Sequence, residues 1–272
     1  MAGSLQGKRI VIAASRRIRE LETIIEKQGG NPVPMPMQRT EFLADEVERE
    51  LHRLSENPVD WMVLTTGMGL EALLDRAEAA RMRSRIQERL AQCRVAARGY
   101  KTAAALQKLG IRPAVVDDDG TVQGLIRALD AHDLAGRTMS VQLHGEPVPK
   151  LTEYLKSRGA EVREWMPYRH LPSDEGLTRR LCEEIAESSV SAVCFTAAVQ
   201  VRFLYRYAKE HGWAQQLTER FNSTVWAAAV GKVTAEALRE EGVRRVVVPE
   251  SERMGAMMVE LKRVLETPVP GR

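Results

Sequence analysis

Short apolar runs alternate with stretches of helical period along the whole chain. Residues 8–14 (KRIVIAA) predict a buried strand, and 18–28 a helix stopped by Gly29-Gly30. Residues 32–37 (PVPMPM) are extended, since their prolines forbid a helix and disfavour a central strand. An amphipathic helix is expected over 40–55, with Phe42, Leu43, Val47, Leu51 and Leu54 on one face. A strand and turn follow at 60–67, and a heavily charged helical stretch in two pieces at 70–90. Residues 94–106 read as strand, tight turn and helix, 113–116 as a strand, and 121–131 as a helix. The second half continues with a strand at 138–143, a helix at 151–157 and an extended segment at 161–170 that contains Pro167. Helices at 177–186, 199–209 and 254–265 then alternate with strands at 192–196, 225–230 and 246–249. Strands alternating with helices predict an α/β fold with parallel sheets covered on both faces.

The pattern is stated twice. Arg94-Val95-Ala96-Ala97-Arg98-Gly99-Tyr100-Lys101-Thr102-Ala103 is answered 132 residues later by Trp226-Ala227-Ala228-Ala229-Val230-Gly231-Lys232-Val233-Thr234-Ala235. Gly136-Arg137-Thr138-Met139 echoes Gly7-Lys8-Arg9-Ile10 at an offset of 129, and Thr196 stands 131 residues after Thr65. Two repeats of this length predict two doubly wound lobes. In such lobes ligands lie at the carboxyl ends of the strands.

Hydrophobic residues make up 44% of the chain and charged residues 28%, an ordinary globular balance. A net charge of +3 and 5% aromatics give no support to nucleic-acid binding, whereas a mild basic excess suits a small polyanion. The three cysteines, Cys93, Cys182 and Cys194, have no metal-ligand pairing and read as reduced thiols. No apolar run is long enough to span a bilayer, and residues 1–8 carry no signal-peptide core; a cytoplasmic protein is expected.

The candidate chemistry lies in the strand-end turns. Gly67-Met68-Gly69-Leu70-Glu71-Ala72 fits the relaxed dinucleotide pattern GxGxxA. It is not the first βα unit, however, and no acidic residue ends the next strand, so a nicotinamide or flavin site is not expected. No phosphate loop, CxxC, HExxH or GxSxG is present. The triplet Asp117-Asp118-Asp119 reads as a solvated turn rather than a cation site, and no metal is expected. What remains is a set of turns holding small hydroxyl residues, glycines and cations: Ser15-Arg16-Arg17, Thr65-Thr66-Gly67, Gly99-Tyr100-Lys101-Thr102, His144-Gly145, Thr196-Ala197 and Gly231-Lys232-Val233-Thr234. Free amides at helix starts favour anions. Six such turns therefore read as an anion cradle, and the absence of a nucleophile points to chemistry by positioning.

In order and spacing these segments resemble uroporphyrinogen-III synthase over nearly the whole chain. The segments are Val63-Leu64-Thr65-Thr66, Gly99-Tyr100-Lys101-Thr102-Ala103-Ala104-Ala105-Leu106, Phe195-Thr196-Ala197-Ala198-Val199 and Val230-Gly231-Lys232-Val233-Thr234-Ala235-Glu236-Ala237-Leu238. The family's Phe-Thr-Ser turn becomes Leu64-Thr65-Thr66 and Phe195-Thr196-Ala197 here, and its usual Gly-Pro becomes Gly231-Lys232. The resemblance implies two doubly wound lobes joined by a two-stranded linker that can act as a hinge. It implies a discontinuous lobe of residues 1–36 with 171–272, a second of 39–165, and crossings at 33–39 and 165–171. It also implies a cofactor-free dehydrating cyclisation of hydroxymethylbilane, with inversion of the last pyrrole through a spiro intermediate. An octacarboxylate substrate would explain a cradle without a catalytic triad. Tyr168 matches the family's linker tyrosine, as an acid for the departing hydroxyl or as a packing aromatic. The expected substrate contacts are Ser15, Arg16, Thr65, Thr66, Gly67, Lys101, Thr102, His144, Gly145, Thr196, Ala197, Gly231, Lys232 and Thr234. A monomer without nucleic-acid or membrane partners is expected. A non-catalytic tetrapyrrole or anion sensor on the same fold is the alternative, and a two-lobed periplasmic-type binding protein is a third reading.

Overall fold

A computed structural model describes residues 5–266. The chain begins with β1 (Arg9–Ile12), α1 (Ile18–Lys27) and β2 (Asn31–Pro34), followed by β3 (Gln38–Phe42). Next come α2 (Ala44–Glu56), β4 (Trp61–Leu64), α3 (Gly67–Ala79), α4 (Arg83–Gln92), β5 (Arg94–Ala97), α5 (Gly99–Lys108), β6 (Val115–Val116) and α6 (Val122–Leu129). The middle closes with β7 (Thr138–Gln142), α7 (Pro149–Ser157) and β8 (Glu161–Trp165), then β9 (Tyr168–Pro172). The remainder is α8 (Glu175–Ala186), β10 (Ala192–Phe195), α9 (Ala198–Glu210), α10 (Ala214–Ser223), β11 (Trp226–Ala229), α11 (Lys232–Glu240), β12 (Val246–Val247) and α12 (Met254–Glu266).

The chain divides into two compact units, Met1–Arg39 with Leu171–Arg272, and Thr40–His170. Each holds a five-stranded parallel sheet, β12-β11-β10-β1-β2 in the first and β6-β5-β4-β7-β8 in the second. The two orders are the same topology. The repeat offsets map β4 onto β10, β5 onto β11, β7 onto β1 and β8 onto β2. In each sheet the strand order reverses at one place, between β4 and β7 or between β10 and β1. In doubly wound sheets this is the place where loops diverge and ligands bind, at the carboxyl ends of the strands.

The inner strands β1, β4, β5, β7, β10 and β11 are short and mostly apolar because both of their faces are buried. In the first unit Val11, Val193, Phe195, Ala227 and Ala229 line one face, while Ile10, Ile12, Ala192, Cys194 and Ala228 line the other. In the second, Met62, Leu64, Val95 and Ala97 alternate with Trp61, Val63, Ala96, Met139 and Val141 in the same way. Cys182 and Cys194 are buried, and burial pushes both thiols up to about 12. Cys93 is pushed up to about 11. All three cysteines are free, and such thiols have little thiolate for chemistry.

Three expectations need correction. The crossings expected at 33–39 and 165–171 begin later: Val33 lies in β2 and Trp165 in β8, each an edge strand, and the two-stranded ladder is β3 with β9. Prolines did not exclude β2, because Asn31 N and Met35 N donate to Lys8 O and Ile12 O. The period of two then turns the ring nitrogens of Pro32 and Pro34 away from β1. Phe42 is not on a helix face; it belongs to β3, is 59% exposed, and meets the Tyr168 ring edge-on. Helix α10 has no counterpart among the expected elements, because its apolar signal is little more than Leu217 and Phe221, four residues apart.

Candidate functional site

In the second unit the carboxyl ends of β4, β5 and β7 converge on a hydrogen-bonded network. The turn after β4 is held from the next strand by Gln142, which is wholly buried at the end of β7. Its Oε1 accepts from Thr65 N at 3.1 Å and Thr66 N at 3.0 Å, while the Thr65 hydroxyl donates to Gln142 O at 2.8 Å. Two backbone donors on one atom identify that atom as the amide oxygen. Gln142 Nε2 therefore donates, to Leu143 O and to Thr66 Oγ1.

Thr66 is the N-cap of α3, and its Oγ1 also accepts from Gly69 N at 3.2 Å. With both lone pairs taken, the Thr66 hydroxyl proton is left for the Tyr168 hydroxyl oxygen, 3.0 Å away. The phenolic proton is thus not spent on Thr66. Tyr168 is 1% exposed, packed against Phe42 and His170. His170 N donates to Gly145 O at 3.2 Å, which ties the loop after β7 to β9. Burial lowers the His170 pKa, and the nearby Glu146 opposes that shift.

The GxGxxA segment is explained by the same network. A Cβ at Gly69 would overlap the Gln142 amide, so this glycine makes room for a side chain rather than for a dinucleotide. Arg98 Nη1, at the end of β5, lies 3.3 Å from His144 Nε2 and 3.5 Å from Nδ1, and it donates to whichever ring nitrogen is unprotonated. Burial pulls its guanidinium below the usual arginine range, with Tyr168 and Asp117 opposing. Asp117, after β6, is 7% exposed and accepts from Gly99 N. Lys101 is exposed, its ammonium 5.7 Å from the Tyr100 ring, and Thr102 is buried in the first turn of α5.

The first unit solves the same turn differently. Thr196 N and Ala197 N donate to Gln200 Oε1 at 2.8 and 3.3 Å, and Gln200 Nε2 returns a bond to Thr196 Oγ1 at 3.1 Å. Gln200 stands at the repeat position of Gly69. One turn is closed by its own helix, the other by the neighbouring strand. At α11, Lys232 N donates to Glu252 Oε1 at 2.9 Å, and a Cβ on Gly231 would stand 2.8 Å from that carboxyl carbon. Lys232 is exposed and Thr234 buried. Ser15 is half-buried and Arg16 exposed in the turn after β1.

The structure therefore gathers Thr65, Thr66, Gly67, His144, Gly145 and Tyr168 at one edge of the second unit, with Lys101 and Thr102 on α5 beside them. Ser15, Arg16, Thr196, Ala197, Gly231, Lys232 and Thr234 belong to the first unit. The free amides expected at the helix starts of the six turns are not open at Thr65, Thr66, Thr196, Ala197 and Lys232. Gln142, Gln200 and Glu252 already take those donors. Sequence reasoning missed these side chains, together with Arg98, Asp117 and His170, because their partners lie far along the chain. Only Gln200, three residues after its cap, had a local signal.

The carboxylates of the acidic turn are similarly engaged. Asp118 and Asp119 pair with Arg127, and the Thr121 hydroxyl first, then Arg127, pull Asp119 down to about 2. Among the described residues no cluster of His, Cys, Asp and Glu forms a metal site, and no helix is long and apolar enough to cross a membrane.

Comparison with known proteins places this geometry. Residues 19–259 match the family model described as uroporphyrinogen-III synthase HemD. The uncharacterized protein YjjA of Bacillus subtilis is 49% identical over 267 residues, 98% of this chain and 99% of that one. A putative uroporphyrinogen-III synthase of Methanothermobacter thermautotrophicus is 29% identical over 86% of this chain and 89% of its own. The crystal structure of a mutant uroporphyrinogen III synthase from the extremely thermophilic bacterium Thermus thermophilus superposes with a TM-score of 0.82 at 37% identity, covering 96% of this chain and 99% of that one. With two parallel-sheet units of matching topology and a family match over most of its length, the chain belongs to the uroporphyrinogen-III synthase family.

Proposed function

We propose that this protein catalyses the cofactor-free closure of hydroxymethylbilane to uroporphyrinogen III. The observation that carries the reading is the Gln142–Thr66–Tyr168 chain, which fixes the phenol at the carboxyl edge of the second unit's sheet. The substrate's terminal hydroxyl leaves as water, taking a proton from Tyr168 while the pyrrole nitrogen supplies the electron pair. The resulting azafulvene closes on the inverted ring, and the proton lost on rearomatisation can return to the phenolate. The pyrrole supplies most of the drive, so a phenol, a weak acid, is adequate. The reading calls for a cytoplasmic, monomeric lyase. Incubation with hydroxymethylbilane and separation of the products tests it. Isomer III above the spontaneous rate is expected, whereas isomer I at the background rate would remove the enzymatic reading.

A second reading, a non-catalytic tetrapyrrole or anion sensor, is favoured by Glu252. Its carboxylate sits on the Lys232 amide, where a ligand carboxylate would otherwise bind. Binding of uroporphyrin without turnover of hydroxymethylbilane would select it.

A further inference from the structure

Arg98 stands out among the second unit's charges. The sheet order places β4 between β5 and β7, so an Arg98 side chain that leaves β5 and reaches His144 after β7 crosses the carboxyl end of β4. This is the place where the strand order reverses and where ligands of doubly wound sheets lie. The backbone beneath it is fixed on both sides: Arg98 N donates to Leu64 O at 2.9 Å, and Asp117 accepts from Gly99 N.

The guanidinium is electrostatically incomplete. Burial disfavours its charge, yet its hydrogen-bond partner is an imidazole, and among the described residues no carboxylate lies within ion-pair distance of it. Asp117 acts on it only through space: its Oδ1 accepts from Gly99 N, and its buried Oδ2 makes no hydrogen bond. Arg98 is half-buried, and a partly desolvated cation without a carboxylate partner is incompletely compensated. A guanidinium presents five donors in a planar fork, and His144 occupies one of its nitrogens.

We propose that Arg98 is a specificity-determining anchor that takes one carboxylate of the polycarboxylate ligand at the carboxyl end of β4. The inference rests on the tetrapyrrole reading and deepens it. At the Thr65–Thr66 turn the amides are consumed by Gln142, so recognition passes from backbone donors to a side-chain cation. His144 holds the fork in place, and Asp117 holds the turn that carries it. A guanidinium binds a carboxylate bidentately, which an ammonium cannot reproduce.

The test uses the full chain with uroporphyrin III, an octacarboxylate, and coproporphyrin III, a tetracarboxylate, followed by absorbance and fluorescence. Arg98→Met should weaken uroporphyrin binding by about 10- to 100-fold, the range for a hydrogen bond to a charged group. Arg98→Lys should recover only part of that loss. The ligand-free Arg98→Met protein should melt no lower than the parent, since it sheds a desolvated charge. A purely structural arginine would behave in the opposite way. With hydroxymethylbilane, the Met variant should raise KM by a similar factor with kcat nearly unchanged, the mark of uniform binding. Unchanged uroporphyrin affinity in Arg98→Met would overturn the proposal, as would melting of both variants well below the parent. If the parent makes no isomer III yet binds uroporphyrin in an Arg98-dependent way, the anchor stands and the catalytic reading falls. If isomer III forms with an unchanged KM in Arg98→Met, the anchor falls alone.

Discussion

Tyr168 and Gln142 carry different burdens at the same place. Tyr168→Phe removes a proton donor and leaves the ring packed against Phe42 and His170. Single-turnover formation of isomer III should slow by about 10²-fold, near the lower end for general acid catalysis, with little change in thermal melting. Gln142→Ala should act on stability as well. It strands two backbone donors in a buried turn, and each unsatisfied group costs about 1–3 kcal/mol. Glu50 offers a contrast remote from the chemistry. It is buried on α2 beneath β7, with one oxygen accepting from the Ser140 hydroxyl, and burial raises its pKa above 4.5. A carboxyl whose folded pKa is raised favours the folded state most while protonated. That stability is present below about 4.5 and is lost as pH rises through the folded value. Glu50→Gln should therefore gain on the parent as pH rises across this window, as denaturant titrations at pH 4 and pH 7 would show. A parent that gains on the variant instead would contradict a desolvated carboxylate.

At the scale of elements, the helix starts are the informative places. Helices α3 and α9 follow equivalent strands, yet one is capped by Thr66 and a glutamine from β7, the other by Gln200 of the helix itself. Gly69→Ala should lower stability by about 1–3 kcal/mol through overpacking against Gln142, while Gly67→Ala, with no neighbour closer than 3.8 Å, should be nearly silent. Helix α11 begins with a carboxylate already seated on its first turn. If Glu252 occupies a ligand's place, Glu252→Ala should tighten uroporphyrin binding while lowering the melting temperature, because the helix loses a charged N-terminal partner. Tightened binding would favour competition; unchanged binding would leave Glu252 a simple cap.

At the scale of the molecule, the two units differ in how the chain supplies them. Residues 40–170 contain a whole five-stranded sheet with both faces covered, so this fragment should fold and melt cooperatively alone. The other unit takes β1 between β10 and β2, so deleting residues 1–39 removes an inner strand and an edge strand together. Circular dichroism of the two truncated proteins should show one cooperative transition for 40–170 and none for 171–272 alone.

Local chemistry determined much of this in advance. Apolar runs of four or five residues specify buried strands, helical periodicity specifies their covering helices, and offsets of 129 to 132 residues announce a doubled architecture. The identity of Thr65, Thr66 and His144 as strand-end residues was legible for the same reason, since their positions follow from where a strand stops, whereas Tyr168 stood out only through the family resemblance. What only the tertiary structure decided is which groups those turns meet. Gln142 reaches Thr66 across 76 positions of sequence, Tyr168 across 102, and Arg98 reaches His144 across 46. Hydrogen-bond partners so far apart leave no periodic trace, since any polar residue at a strand end fits the pattern equally well. The Thr65 and Thr66 amides that the sequence alone presents as open are closed by such a distant side chain, while Arg98, an ordinary surface-type residue in the sequence, becomes a partly desolvated cation because β4 lies between its strand and its partner.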